Sequence, residues 1–382
     1  MHKRIGYRFL FGLFHLIRHF ETFKSTDLQY VTDPNYSLPT KVLFTAAMLF
    51  SFLVSITGNF LVIYVIMTNR VMRTSTNCLI MNLAFCDFLI SLLQTPHLIK
   101  QLYIGKIWFG GAAGKVLCKS YTFGGSVLLN SSVYSLVAIA IDRFLAVTRP
   151  LTHKTSSKLV LKIGILLIWI VSTLLSLRLV ISSRIHYGED GTPNCMYFAQ
   201  SAKELFTSAS CFIGSFVLIA VLYSIIAYRL WMRKLPGECS NTQKDLARRT
   251  ARSVTLLMIS VVLLFAASWT PAFVTLSLAM FHPSSAEIFM QYPFLIAFTY
   301  WLILTSSACN PCLYFIFIES FRSNLKAVFY KRCSTLLRVC RVGAAKRQRL
   351  ALETREQMRR QPIIELTAYS TASNTNTDLL RK

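Results

Sequence analysis

Seven long, nearly charge-free windows constrain this sequence more than any other feature, at about 42–67, 77–102, 117–141, 159–181, 205–228, 254–280 and 289–318. A hydrocarbon layer about 30 Å thick is crossed by about 20 helical residues at 1.5 Å each, so every window is long enough to span it. Barrel strands would be shorter and would alternate apolar with polar residues, which these windows do not. The expected fold is an all-α membrane protein, a seven-transmembrane helix bundle. Residues 1–40 are expected as an extracellular arm and 41–318 as the membrane domain. Residues 319–382 are expected to hold a short amphipathic eighth helix and a disordered cytoplasmic tail.

Charge sets the orientation. The chain carries 41 Lys and Arg against 16 Asp and Glu, a net +25. Such a balance would suit nucleic acid, but its placement argues for none. Arg70, Arg73, Arg149, Lys154, Arg229, Arg233, Arg248 and Arg249 all fall in loops on one side of the bundle. Lys and Arg near span ends stay cytoplasmic. The N-terminus is therefore expected outside, in a multi-pass plasma-membrane protein whose inner face touches anionic lipid.

The first twenty residues resemble a secretory signal only loosely, because His15 and Arg18 interrupt the apolar run and no small-residue cleavage site follows. Asn35 heads a glycosylation sequon, Asn35-Tyr36-Ser37, on the outer side. Cys118 starts the third span and Cys195 lies between the fourth and fifth, both on that oxidising side, so a disulfide between them is expected. Most other cysteines lie within spans and read as small apolar residues.

Polar groups inside spans carry most of the functional information, because each needs a partner or a wet cavity. Asp87 sits mid-span in NLAFCDFLISL with no Lys or Arg within a turn. Its candidate neighbours are Asn59 in the first span, Ser132 in the third, and Ser306, Ser307 and Asn310 in the seventh. A carboxylate among hydroxyl and amide oxygens is hard-cation chemistry, which a structural sodium ion would suit. A hydrogen-bond network without an ion is the alternative, and both stay open. No other cofactor is expected.

The stretch VAIAIDRFLAV puts Asp142 and Arg143 at the inner end of the third span. Arg143 follows Ser132 by eleven residues, which returns it to within about 20° of the same face, while Asp142 points about 100° away. Cys118 lies about 37 Å earlier along the helix, so the ion pair sits at the inner boundary. It serves either as an interfacial anchor or as a latch that re-pairs when helices move. Past the last span, Phe321, Leu325, Val328 and Phe329 recur at helical spacing among basic residues, which suits a helix on the inner membrane surface. Cys333 is either an acylation site or a free thiol. The Ser- and Thr-rich end reads as a disordered tail open to phosphorylation.

In order along the chain stand GNFLV with Asn59, NLAFCD with Asp87, Cys118 and Cys195, DRF at 142–144, Trp169, Tyr223, SWTP at 268–271, and NPCLY with Asn310, Pro311 and Tyr314. This series resembles the rhodopsin-like (class A) G-protein-coupled receptors over about 42–333. The resemblance implies that Phe265 and Trp269 form an aromatic trigger, that Pro271 is the kink about which the sixth helix swings, and that Tyr223 and Tyr314 move toward Arg143 on activation. It also implies a heterotrimeric G protein as the inner partner, with arrestin and a receptor kinase at the tail. Three residues depart from the family pattern: Phe144 in place of tyrosine, Ser215 where the fifth span usually has proline, and Val133 in place of a bulkier branched residue. The inner start of the sixth span, near Ala251, lacks the acid that sometimes pairs with the arginine, so raised basal activity is expected.

The outer half of the third span, 119–129, has no acid, and Gly125 occupies the place where amine receptors carry aspartate. The seventh span has no lysine for a retinal Schiff base. The TPH of the second span, the IWFGG loop and the hairpin-prone stretch 184–198 resemble peptide receptors. His97, Lys100, Gln101, Tyr121, Arg178, Phe273, Tyr292 and Tyr300 are the candidate lining of a wide, partly basic mouth. Arg178 either meets an acidic ligand group or snorkels to the headgroups. A peptide is the expected ligand, with a small acid or a lipid as the alternative. A transporter using Asp87 would show discontinuous helices in paired halves, and an enzyme would show a metal motif or nucleophile pair; neither pattern is visible.

Overall fold

The computed structural model describes residues 36–105, 107–149, 158–188, 190–197, 202–232, 256–257, 259–272, 274–275 and 291–360. Its helices are α1 (Leu38–Thr68), α2 (Ser75–Ile104), α3 (Gly111–Thr148), α4 (Lys158–Ser182), α5 (Ala202–Met232), α6 (Ile259–Ala272), α7 (Pro293–Phe317) and α8 (Glu319–Arg360). Strands β1 (Ser183–Tyr187) and β2 (Pro193–Tyr197) lie between α4 and α5. Among the described residues six helices, α1 to α5 and α7, are long and apolar enough to cross a membrane, and the described part of α6 is a shorter apolar helix. Asn35, Ala251, Phe273 and the stretch 276–290 lie outside the described residues.

Caps and breakers, rather than the edge of the hydrocarbon, decide where these helices end. Ser37 caps α1, its Oγ accepting from the Thr40 N–H at 3.4 Å, with Pro39 in the first turn. Thr74 caps α2 in the same way through the Asn77 N–H at 3.3 Å. The first helix therefore begins at Leu38. The break before α3 is the glycine pair Gly110 and Gly111, the latter at φ 70°, so α3 starts about six residues ahead of its apolar window. At the other end of the bundle, Pro293 holds the start of α7 back to itself rather than 289. The eighth helix is not short. It continues to Arg360 through a segment rich in Leu, Ala, Arg, Gln and Glu, all strong helix formers. The chain divides into two compact units, 1–324 and 325–382.

Within the first unit α1 packs against α2 and α7, α2 also against α3 and α7, and α3 against α4 and α5. Gly58 permits the close approach of α1 to α7: a Cβ there would lie 2.6 Å from Pro311 Cγ. Gly58→Leu is expected to pry the two helices apart and reduce folded receptor several-fold, read by size-exclusion chromatography of the detergent extract. Wild-type yield with unchanged thermal melting would contradict this packing argument.

The two strands form an antiparallel hairpin with Ile185 opposite Cys195, turning through Gly191 at φ 77°. In the turn Asp190 Oδ1 accepts from the Thr192 hydroxyl (2.7 Å) and N–H (3.0 Å), which holds the carboxyl below its ordinary pKa. The expected disulfide between Cys118 and Cys195 ties β2 to α3. Ser183 Oγ meets Thr122 Oγ1 at 2.7 Å, and the Trp108 N–H donates to the Pro193 carbonyl at 2.7 Å. The hairpin is thus pinned to the outer end of α3 and to the loop after α2.

Candidate functional site

At the inner end of α3, Arg143 folds back along its own helix. Its terminal nitrogen lies 2.8 Å from Asp142 Oδ2, and its Nε donates to the same oxygen at 3.3 Å. Thr76 Oγ1 of α2 donates there too. Helical phase separates the two charges, but the arginine side chain is long enough to close the gap. Both side chains are partly exposed, and the charge-assisted bond between them is the arrangement seen here. Tyr223 on α5 and Tyr314 on α7 are both buried, and neither hydroxyl has a hydrogen-bond partner among the described residues. A buried orphan hydroxyl costs about 1–3 kcal/mol, so both are groups that a different packing could satisfy. The Tyr314 ring stacks on Phe321 with centroids 6.1 Å apart.

Midway through the bundle, Asp87 is buried with its carboxylate fully engaged. Oδ1 accepts from Ser132 (3.3 Å) and Ser307 (3.2 Å), and Oδ2 from Asn310 Nδ2 (2.7 Å). Ser306 is not among these partners, a correction to the grouping made on sequence: its hydroxyl donates to the Ile303 carbonyl of its own helix at 2.8 Å. Adjacent helical residues point about 100° apart, and Ser307 has the face that meets Asp87. Asn59 Nδ2 donates to the Ser307 carbonyl at 3.1 Å, joining α1 to the group. Hydroxyl and amide N–H donors satisfy the carboxylate by themselves, as a network without an ion requires, while one carboxylate with two hydroxyl oxygens would also suit a hard monovalent cation such as sodium. Among the described residues no cluster of His, Cys, Asp and Glu would hold a transition metal.

Above Asp87 lies an aromatic stack. Phe265 and Trp269 of α6 are near-parallel at 5.8 Å, and Phe212 and Phe216 of α5 complete the stack, with Phe216 5.0 Å from Phe265. The α5 pair was not anticipated; its signal is the four-residue spacing of two phenylalanines, which puts both on one helix face. At the departure Ser215, the hydroxyl donates to the Cys211 carbonyl at 2.8 Å. Pro271, the expected kink of α6, has its carbonyl bonded by Thr275 Oγ1 at 2.8 Å.

At the outer mouth His97 and Tyr121 come together with ring centroids 4.4 Å apart, and Trp108 lies 5.7 Å from each. The Tyr121 hydroxyl donates to Gln94 Oε1, a residue that sequence reasoning missed although it lies three residues before His97 on the same face. Lys100 lies at this mouth too. Its Nζ lies over the Trp108 ring at 5.5 Å and donates to the Ile107 carbonyl at 2.6 Å. Gln101 is half-buried, Arg178 and Tyr292 are exposed, and Tyr300 packs against an apolar cluster of α1, α2 and α7.

The sequence profile described as 7 transmembrane receptor (rhodopsin family) matches residues 58–314. The chain belongs to that family. This rhodopsin-family chain is accordingly a multi-pass membrane protein of a receptor family, not an enzyme. It is 32% identical over 288 residues to the Tachykinin-like peptides receptor 99D of Drosophila melanogaster, covering 71% of this chain and 54% of that protein. It is 31% identical over 286 residues to the Neuromedin-K receptor of Rattus norvegicus, covering 72% and 61%. With the Substance-P receptor of Aquarana catesbeiana it shares 28% over 333 residues, covering 85% and 79%. The chain thus spans about half the length of the first of these relatives.

Proposed function

We propose that this rhodopsin-family chain is a plasma-membrane receptor, N-terminus outside, that binds an extracellular peptide and activates a heterotrimeric G protein. The observation that carries this reading is α3 itself, clamped to a hairpin lid at Cys118 and latched through Arg143, Asp142 and Thr76 at its inner end. Relatives named for tachykinin-like peptides and substance P favour a peptide as the ligand class. An aromatic mouth without an acid on the outer half of α3, 119–129, agrees with that choice.

Binding at the mouth biases the bundle between two packings, and the ligand can shift that balance only by its preference for one of them. Swinging α6 outward about Pro271 opens the inner face to the terminal helix of a G protein. Arg143 then exchanges Asp142 for the new partner, and the hydroxyls of Tyr223 and Tyr314 acquire partners in the rearranged core. A sodium ion at Asp87, held with Ser132 and Ser307, favours the resting packing. Outside the described residues or side chains, Asn35 carries a glycan, Cys333 an acyl chain, and the tail phosphates from a receptor kinase that recruit arrestin.

The test is a G-protein activation screen in cells expressing the full chain, challenged with a synthetic peptide library and, in parallel, with small acids and lipids. A peptide response that Arg143→Ala removes is the expected result. Response to acids or lipids alone would reassign the ligand, and uptake or current surviving Arg143→Ala would make the chain a transporter.

A further inference from the structure

On the side of Asp87 that faces α1, polar residues oppose one another at matched four-residue steps. From inside to outside α1 carries Asn59, Ser55 and Ser51, while α2, running the other way, carries Asp87, Ser91 and Thr95. Ser91 Oγ donates to Ser55 Oγ at 2.6 Å, which fixes the register. All six residues are less than a tenth exposed, the highest being Ser51 at 5%. From α7, Trp301 Nε1 donates to Ser51 Oγ at 3.1 Å. Outward, the seam ends at a buried apolar cluster that includes Met48, Leu98, Ala297 and Leu304.

Two atoms in this seam have no hydrogen-bond partner among the described residues, Asn59 Oδ1 and Thr95 Oγ1. Thr57, Thr299 and Thr305 give their hydroxyls to carbonyls four residues back in their own helices. That bond is open to any helical threonine. Thr95 does not make it, so its hydroxyl is spent on the seam or wasted. Buried hydroxyls are seldom left without a partner.

We infer that the outer part of the seam between α1, α2 and α7 is a hydration site, binding ordered water that bridges Thr95 Oγ1 to the neighbouring serine hydroxyls, while Asn59 Nδ2 and Ser91 Oγ already hold Ser55 Oγ at the rung below. Its upper rungs are neutral and mix donors with acceptors. An ion there would lack a counter-charge, whereas water needs only two to four polar partners of either kind. This site is separate from the hydroxyls and amide that bond Asp87 from α3 and α7. It links Trp301, the chain neighbour of Tyr300, to the core around Asp87. Bridging water can exchange partners, so α7 can shift against α1 and α2 without stranding a polar group.

Radiolytic hydroxyl-radical footprinting of the purified full chain in nanodiscs tests this, because radicals form from water beside the side chain they label. Met48 is fully buried at the cap of the seam, and Met72, 3% exposed at the inner side, is the control. Expected is labelling of Met48 several-fold above Met72, lost in Thr95→Val and retained in Thr95→Ser. Thr95→Val should also lower the melting temperature by about 1–2 °C, the shift that losing one bridging hydrogen bond gives a chain of this size. Met48 labelled no more than Met72, or a Thr95→Val receptor that melts higher than wild type, overturns the inference and makes the hydroxyl a dry orphan.

Discussion

Arg143→Ala is expected to reduce peptide-driven G-protein activation to the level of untransfected cells, with surface expression within about twofold of wild type. The arginine side chain is partly exposed, and after its loss the Asp142 carboxylate, 12% exposed, keeps the hydrogen bond from Thr76. Asp142→Asn is expected to act in the opposite direction. It converts a charge-assisted pair into a neutral contact, a loss of about 1–2 kcal/mol. If only the resting packing makes that pair, the balance of the two packings moves by about five- to thirtyfold. Signalling without ligand, normalised to surface receptor by antibody staining, should therefore rise several-fold in Asp142→Asn. Equal basal signalling in wild type and Asp142→Asn would show that the pair is an anchor and not a latch.

Cys118→Ala is expected to lower binding of an active peptide more than tenfold. The disulfide closes a separation of 77 residues, worth at most about 4–5 kcal/mol by chain entropy. The hairpin's remaining ties to the bundle are few, among them one hydroxyl pair and the contacts of Ile107 and Trp108 with Asn194 and Pro193. They are too weak to hold a lid of two five-residue strands in place. Cys195→Ala should match Cys118→Ala, and the double variant should be no worse than either, since both remove one bond. Additive losses in the double variant would mean that each thiol has a separate task.

Composition alone exposes most of this bundle, because lipid requires long apolar helices and leaves few alternatives. The helix ends were less legible, since Ser37, Thr74, Gly111 and Pro293 act through local backbone bonds that hydropathy does not register. Around Asp87, helical phase found Ser132, Ser307 and Asn310 but could not separate Ser307 from its neighbour Ser306, whose hydroxyl turns to its own backbone. Phe212 and Phe216 were invisible for a different reason: phenylalanine is ordinary in a lipid-facing helix, and only the α6 partners reveal these two as a stack. Lys100 was legible as a cation near the mouth, but not that the Trp108 indole and the Ile107 carbonyl hold it there.

The 38 residues of α3 make a rod about 57 Å long, nearly twice the hydrocarbon thickness. Such a rod behaves as a lever with its fulcrum near the cystine bridge. The span from Cys118 to Arg143 is about 37 Å, so one degree of tilt carries the guanidinium sideways by about 0.6 Å. That displacement is the difference between a sound hydrogen bond and a broken one. Asp142 rides on the same rod as Arg143, so a tilt leaves that pair intact and works instead on the bond from Thr76 of α2 to Asp142.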